Sequence, residues 1–394
     1  MTAFVNGQGA AAWKRQEAKR PDGRPDGRPD GSRDGRGLGG VYAALDLGTN
    51  NCRLLVARPS RDGFRVVDAF SRIVRLGEGL AASGELSGAA MARTIEALRV
   101  CAGKIDRRGV TQVRAVATEA CRQAANCADF LDAVRRETGI ELEIISQNEE
   151  AALAICGCAP LIDPAIPDIL LFDIGGGSTE ICWLKAEPGE PATARPAGRG
   201  NGALQPIELS LHAWLSVPIG VITLAEKYGA EKYGAEKHGA GIGGGPYAAM
   251  EAEMAEALAD FDRRHRVSQS VTASGVQMLG TSGTVTTLAG VHQDLPRYDR
   301  AAVDGTYLDM ATVREMSARI AAMSDAERAG HPCIGPQRAD LVVAGCAILA
   351  AICRLWPADR LRVADRGLRE GMLYAMIHGI SAPGGRWAAE PDAD

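Results

Sequence analysis

The sequence has little of several features that mark whole classes of protein. Aromatic residues make up 5% of the 394 residues, and the formal net charge of −5 offers no general nucleic-acid-binding surface. The ten cysteines include no Cys-x-x-Cys pair and the six histidines show no metal-ligand spacing, which argues against a disulfide framework or a zinc site. A polyanionic ligand would therefore have to be held by local arginines, and no nucleic-acid partner is expected.

Long hydrophobic segments are also scarce. The N-terminus lacks the apolar core of a secretory signal, which predicts a cytoplasmic location. The most apolar stretch, Leu341–Cys353, is too short to cross a bilayer and is predicted to be a buried core helix. We expect no membrane partner. With 46% apolar residues, the chain is long enough for two ordinary domains with a sizeable core.

Two low-complexity segments interrupt this composition. Before about Gly40 the unit Arg-Pro-Asp-Gly occurs three times, and proline, glycine and alternating charge bury too little apolar surface to offset the entropy of ordering. Residues 1–40 are therefore predicted to be disordered, and residues 380–394 to be a flexible tail. Insertions near 187–203 and 226–246 are predicted to be surface loops, the second containing three copies of a Glu-Lys-Tyr/His-Gly-Ala unit.

Two glycine-rich segments about 125 residues apart are the most informative feature. Asp46–Arg53 has the sequence Asp-Leu-Gly-Thr-Asn-Asn-Cys-Arg, and Asp173–Glu180 has Asp-Ile-Gly-Gly-Gly-Ser-Thr-Glu. Each lies between two apolar runs of strand length, which predicts a β-hairpin. Small residues at such a turn let backbone N–H groups approach a phosphate, while the carboxylate can hold a cation or a water. One such hairpin is an ordinary turn, but the duplication favours paired phosphate-binding loops.

The duplicated hairpins resemble the superfamily of actin, sugar and acetate kinases and the heat-shock chaperone ATPase. Three further segments occur in order, namely Ala117–Arg122, Ile145–Glu150 and Asp365–Gly371. Together with the hairpins they resemble the exopolyphosphatase and guanosine pentaphosphate phosphohydrolase (Ppx/GppA) family, from about Val41 to about Ile377. The resemblance implies an α/β fold of two actin-like, ribonuclease H-like domains with an active-site cleft between them.

The domain limits that follow are 41–164 for the first domain and 165–379 for the second, whose final helix would pack back on the first. A third glycine segment, Leu279–Leu288, has the pattern of a strand, a loop and a helix start. The superfamily resemblance places it where kinases hold adenosine.

The family resemblance implies a hydrolase that uses Mg²⁺ or another divalent cation. It would remove terminal orthophosphate from inorganic polyphosphate, or from the 5′-triphosphate of guanosine pentaphosphate, the signal of the stringent response. Glu150 is implied as the catalytic base or water-positioning residue, and its distance from Glu180 fits the family spacing better than that of Glu149. The implied metal-binding carboxylates are Asp46, Asp173 and Glu180. The implied phosphate-binding residues are Gly48, Thr49, Asn50, Asn51, Arg53, Arg122, Gly175, Gly176, Gly177, Ser178 and Thr179.

Other interpretations remain open from the sequence. Arg75, Arg366 and Arg369 are further cations for a phosphate chain, but Arg366 and Arg369 fit equally well as ion-pair partners of Asp365 or Glu370. An acetate- or sugar-type kinase, an inactive actin-like scaffold and a nucleotide-sensing module all share the fold. A homodimer is compatible with each.

Overall fold

The computed structural model describes residues 2–6, 10–12, 40–60, 63–188, 207–229 and 245–378. Its strands are β1 (Thr2–Asn6), β2 (Ala10–Ala12), β3 (Tyr42–Leu47), β4 (Asn51–Ser60), β5 (Gly63–Ile73), β6 (Gln112–Ala117), β7 (Glu143–Ile144), β8 (Asp168–Ile174), β9 (Thr179–Pro188), β10 (Ile207–Val217), β11 (Gln277–Thr281), β12 (Tyr307–Asp309) and β13 (Arg360–Ala364).

The helices alternate with these strands along the chain. They are α1 (Leu80–Ser83), α2 (Gly88–Arg107), α3 (Glu119–Gln123), α4 (Cys127–Thr138), α5 (Gln147–Cys158), α6 (Val221–Tyr228), α7 (Gly245–His265), α8 (Val267–Ser274), α9 (Gly283–His292), α10 (Arg300–Val303), α11 (Met310–Ala322), α12 (Asp325–Gly330), α13 (Val342–Leu355) and α14 (Leu368–His378), with a 3₁₀ turn at Ala159–Leu161.

The two β-sheets repeat one strand order. The first is β5-β4-β3-β6-β7, an antiparallel meander of β5, β4 and β3 extended by the parallel strands β6 and β7. In the second, β10-β9-β8 is the matching meander, and β11 and β13 are the matching parallel strands. This duplication confirms the predicted α/β fold of two actin-like domains.

Helices α5 and α14 cross between the two sheets. A Cβ atom on Gly157 would lie 1.9 Å from the carbonyl oxygen of Gly367, and one on Gly371 would lie 2.0 Å from that of Leu153. Only glycine therefore permits this crossing distance. Although α14 ends the fold, it buries Met372 and other apolar residues against the first sheet. The crossing ties both domains together directly behind the two hairpins.

The predicted core helix is confirmed, since α13 is buried along most of its length. Among the described residues, no helix combines the length and apolar character needed to cross a membrane. Disorder was predicted for the whole N-terminal segment, but β1 and β2 add to the edge of the second sheet beside β10, so that prediction is wrong for Thr2–Asn6 and Ala10–Ala12. The Arg-Pro-Asp-Gly repeats and residues 380–394 lie outside the described residues.

The predicted surface insertions begin later than the sequence indicates. Glu187 and Pro188 still belong to β9, and residues 189–206 lie outside the described part. The first copy of the five-residue repeat is not a loop, because Glu226, Lys227 and Tyr228 form the last turn of α6. Lys227 and Tyr228 both bind the Glu253 carboxylate on α7, at 2.8 and 2.7 Å. Residues 230–244, which hold the other copies, lie outside the described residues.

Candidate active site

The two glycine hairpins have the same internal geometry. In the first, Gly48 N donates to Asn51 O at 2.9 Å, and in the second Gly175 N donates to Ser178 O at 2.9 Å. The hairpins also touch, since a Cβ on Gly177 would lie 2.9 Å from Thr49 Oγ1. They therefore form one continuous surface of small residues and backbone amides between the domains, the arrangement that suits phosphate binding.

A cleft of about 980 Å³, partly open to solvent, lies over this surface. Most of the predicted site residues line it: Asp46, Gly48, Thr49, Asn50, Asn51, Arg53, Glu150, Asp173, Gly175, Gly176, Gly177, Ser178 and Glu180. Two predicted phosphate ligands do not. Thr179 Oγ1 donates to Ile219 O at 2.7 Å, and Arg122 lies behind the cleft wall, bonded to carboxylates. The structure thus brings together predicted site residues from three separate sequence motifs.

Glu150 enters the cleft from the first turn of α5. Ser146 caps this helix by accepting from Glu149 N at 3.2 Å, which fixes the register of the turn. Arg122 Nη1 donates to Glu150 Oε2 at 2.9 Å and to Ile145 O at 2.9 Å, so the carboxylate is oriented while its side chain keeps 18% exposure. Glu149 points to Arg114 instead, with Nη2 donating to its Oε1 at 2.5 Å. Only Glu150 of this pair lines the cleft.

Five carboxylates line the cleft, those of Asp46, Glu119, Glu150, Asp173 and Glu180. Burial raises the pKa of Glu150 well above its ordinary value, and the Glu180 carboxylate raises it further against the effect of Arg122. Burial, with a contribution from Asp173, raises the pKa of Glu180 to about 7. Burial raises the pKa of Asp173 to about 6 although Arg53 opposes the shift, and burial likewise raises the pKa of Asp46. Against these five carboxylates the cleft is lined by two arginines, Arg53 and Arg338.

This charge excess fits a divalent cation. Among the described residues, no three His, Cys, Asp or Glu side chains converge as a ready-made ligand set. Mg²⁺ is commonly held by one or two carboxylates together with waters and substrate phosphates, so a protein cage is not required. Asp46, Asp173 and Glu180 supply hard oxygen donors on the cleft wall. The Glu180 carboxylate is fixed in place by the protein, because its Oε1 accepts hydrogen bonds from Ser178 Oγ at 2.5 Å and from Ser216 Oγ at 3.1 Å.

The predicted arginines divide into two groups. Arg53 lies opposite Asp46 in the hairpin and, in the described part of the chain, has no ion-pair partner within bonding distance. Arg369 likewise acts on Asp46 and Glu370 only at longer range. Of these two, only Arg53 lines the cleft and is available there to a phosphate chain.

The other predicted arginines are engaged with protein partners. Arg122 pairs with Glu119 and Glu150, and Arg75 pairs with Asp340. Arg366 pairs with Asp304, so the predicted alternative of Asp365 or Glu370 is wrong for that residue. Those two carboxylates bind Arg300 instead.

Sequence reasoning missed one cation of the cleft. Arg338 lines the cavity, where its Nη1 makes a long contact of 3.4 Å with Thr287 Oγ1. Burial lowers the pKa of Arg338, and the positive charge of Arg53 lowers it further. No recognisable motif surrounds Arg338. The sequence signal that pointed to this part of the cleft was the third glycine segment. It forms β11 and the start of α9, as predicted, and its Gly283 lies next to the Arg338 guanidinium.

Several polar atoms in the cleft have no protein partner. Within the described residues, Asn50 Oδ1, Asn51 Oδ1 and Ser282 Oγ are buried without a hydrogen bond. Ser282 also has φ of 93°, a conformation that side chains other than glycine rarely adopt. Unsatisfied groups and local strain cluster at functional sites, where a ligand or water completes the bonding.

Comparison with known proteins gives consistent matches. The model of the Ppx/GppA phosphatase family matches residues 55–379. Exopolyphosphatase 2 of Mycobacterium tuberculosis is 28% identical over 353 residues, which cover 85% of this chain and 98% of that protein. The crystal structure of the Aquifex aeolicus Ppx/GppA family member has 25% identity and a TM-score of 0.62, covering 86% of this chain and 98% of that one. An exopolyphosphatase structure from Cytophaga hutchinsonii, at 22% identity, has a TM-score of 0.70, covers 87% and 99% of the two chains, and supports the fold alone.

Proposed function

Because the chain belongs to the Ppx/GppA phosphatase family and is a hydrolase of that type, we propose that it removes terminal orthophosphate from inorganic polyphosphate, from guanosine pentaphosphate, or from both. One observation carries the proposal: a carboxylate oriented by an arginine faces two phosphate-type loops within a single cleft. Exopolyphosphatase 2, which is similar over nearly its whole length, supports polyphosphate as the first substrate to test.

The chain's own residues divide the work of hydrolysis. Backbone amides of the hairpins bind the terminal phosphoryl group, and Arg53 and Arg338 offset negative charge on its oxygens. Glu150 orients a water and accepts its proton while the water oxygen bonds to phosphorus. The anhydride P–O bond breaks on the opposite side, and its electron pair leaves with the shortened chain. Arg122 keeps the carboxylate aligned, and the raised pKa of Glu150 makes it a stronger base near neutral pH.

A divalent cation, Mg²⁺ in the first instance, is part of the proposal. Asp46, Asp173 and Glu180 would hold it, directly or through water. When bound, such an ion polarises phosphoryl oxygens and offsets the charge that develops on them. The deficit of positive charge in the cleft supports this requirement.

The experiment compares orthophosphate release from long polyphosphate, short polyphosphate, guanosine pentaphosphate and ATP, each with Mg²⁺ and with EDTA. We expect Mg²⁺-dependent release from polyphosphate or guanosine pentaphosphate and much slower release from ATP. No release from any chain would overturn the proposal, and transfer from ATP to an added acceptor would favour a kinase. A cytoplasmic location, a role in the stringent response and a homodimer are proposed with it, and light scattering would measure the last.

A further inference from the structure

One segment links the first phosphate loop to the opposite wall of the cleft. Val74 N and Arg75 N donate to Asn50 O at 2.8 and 3.0 Å, and Gly77 N donates to Thr49 O at 3.0 Å. The backbone of this segment, residues 74–79, is therefore hydrogen-bonded directly to the phosphate loop.

Arg93 on α2 fixes the same segment from behind. Its Nε donates to Val74 O at 2.6 Å, and its Nη2 donates to Arg75 O at 3.2 Å and to Glu78 Oε2 at 2.9 Å. The segment is thus held from both sides. Its backbone position is therefore fixed where the Arg75 side chain extends across the cleft.

Arg75 makes the crossing. Its Nη1 and Nη2 bind the two carboxylate oxygens of Asp340, each at 2.8 Å, and Nη2 also donates to Gln337 O at 3.2 Å. These partners flank Arg338, the cleft cation, on both sides in sequence. Arg75 has φ of 48°, in the left-handed region that arginine rarely occupies, and this turn of the backbone is stabilised by the contacts just described. A second crossing lies nearby, where Gly79 N donates to Glu226 Oε1 at 2.8 Å.

We propose that Arg75 and Asp340 are positioning residues that hold Arg338 at a set distance from the first phosphate loop. The ion pair then determines the width of the cleft at the point where the phosphate chain lies between Arg338 and the loop. The proposal rests on the proposed phosphohydrolase function and deepens it. It also changes the role expected for Arg75 from the sequence, because its guanidinium binds protein instead of phosphate.

The solvent exposure of the Arg75–Asp340 ion pair makes it possible to distinguish a positioning role from a contribution to folding stability. The side chains of Arg75 and Asp340 keep 28% and 51% exposure, and ion pairs this exposed contribute little to folding stability. Breaking the pair should therefore leave the melting temperature nearly unchanged. An effect on substrate binding without an effect on stability would come from alignment or from charge, and the sign of the change in KM distinguishes the two.

Asp340→Asn gives the sharpest test because two explanations predict opposite signs. If Asp340 were only a negative charge near a polyanion, neutralising it would lower KM. If it positions Arg338, the same change should raise KM for polyphosphate by about threefold to tenfold, with kcat within about twofold. Asp325→Asn is the matched control, because it removes the same charge from an exposed carboxylate that pairs with Arg328 within the second domain.

Arg75→Asn completes the test, since asparagine tolerates the left-handed backbone at this position. The double variant Arg75→Asn/Asp340→Asn should be no worse than either single variant, because the two residues act as one unit. An unchanged or lowered KM in Asp340→Asn, or additive effects in the double variant, would overturn the positioning role. Orthophosphate release by the unmodified protein distinguishes the two proposals. If the unmodified protein releases no orthophosphate, the proposed function is wrong. If it does release orthophosphate but the variants behave otherwise than expected, only the positioning proposal is wrong.

Discussion

Replacing Glu150 with glutamine removes one negative charge from the cleft and keeps the shape of the side chain. The bond from Arg122 Nη1 to Glu150 Oε2, at 2.9 Å, can be retained because the amide oxygen of glutamine accepts the same donor. What is lost is the ability to take a proton from the attacking water. The variant therefore separates the chemical role of the carboxylate from its role in anchoring Arg122.

The expected loss is large in turnover and small in binding. General acid–base roles contribute about 10²–10⁴ in rate, or about 2.7–5.4 kcal/mol of transition-state stabilisation. Removing the charge also relieves repulsion with Glu180, which favours binding of a polyanion and opposes any rise in KM. We predict that kcat for polyphosphate falls by at least about a hundredfold while KM stays within about threefold.

The pH dependence supplies a second reading of the same variant. Glu150 must be deprotonated to act as a base, and its pKa is raised, so the activity of the unmodified protein should fall as pH decreases through that raised value. This acidic limb should disappear from the residual activity of Glu150→Gln. Initial rates of orthophosphate release between about pH 5 and 9 at saturating Mg²⁺ would measure it.

Glu149→Gln is the matched control, because it makes the same change one residue earlier on the same helix. Glu149 binds Arg114 and does not line the cleft, so its variant should retain activity within about threefold. If Glu149→Gln is the inactive variant, the assignment of the base is wrong by one residue. If both variants stay active in a folded protein, carboxylate catalysis from α5 is refuted.

Four further changes test the remaining site and the domain crossing. Asp173→Asn should raise the Mg²⁺ concentration needed for half-maximal rate. In EDTA at pH 8 the variant should also melt at a higher temperature than the unmodified protein. The reason is that the pKa of Asp173 is raised from 3.8 to about 6 by folding, so the folded protein loses stability as pH rises through that range and the carboxylate becomes charged. Arg122→Ala should lower kcat more than it raises KM, since this arginine orients Glu150, and an effect on KM alone would contradict that. Arg338→Ala should raise KM and flatten its salt dependence, measured in titrations with NaCl. Gly371→Ala should cost about 1–3 kcal/mol of unfolding free energy through overpacking at the helix crossing, whereas Gly88→Ala, with open space around it, should be nearly neutral in the same denaturant titration.

The hairpins and the closing helix could be predicted because their signals are local. Apolar runs of strand length around Asp46 and Asp173, with glycine at each turn, specify a hairpin without knowledge of the rest of the chain. The strand order follows once two such units are recognised as copies of one fold. The five-residue repeat shows where a local signal fails, because the first copy follows a helix and the surface-loop prediction did not take this into account. Glu226 extends α6, whose apolar residues Ile222 and Leu224 are buried in the second domain.

The partners of the arginines could not be predicted, because they depend on tertiary distance. Arg366 pairs with Asp304, which is far away in sequence but adjacent in space, and Arg75 reaches Asp340 across the cleft. Composition also concealed the first residues of the chain. The Arg-Pro-Asp-Gly repeats dominate residues 1–40, but Thr2–Asn6 is a short apolar segment that can pair with an exposed strand edge.

The balance of charge in the cleft gives the proposed cation a role before any chemistry occurs. Asp46, Glu150, Asp173 and Glu180 all line the cleft, and a phosphate chain would bring further negative charge to the same space. Arg53 and Arg338, the two cations that line the cleft, are outnumbered by its carboxylates even before a substrate adds its own charge. A bound divalent cation would therefore have to act on binding as well as on rate. It follows that lowering Mg²⁺ should raise KM for polyphosphate as well as reduce kcat, and that adding Mg²⁺ to the protein near pH 6 should release protons from these carboxylates, which calorimetry in buffers of different ionisation enthalpy would detect.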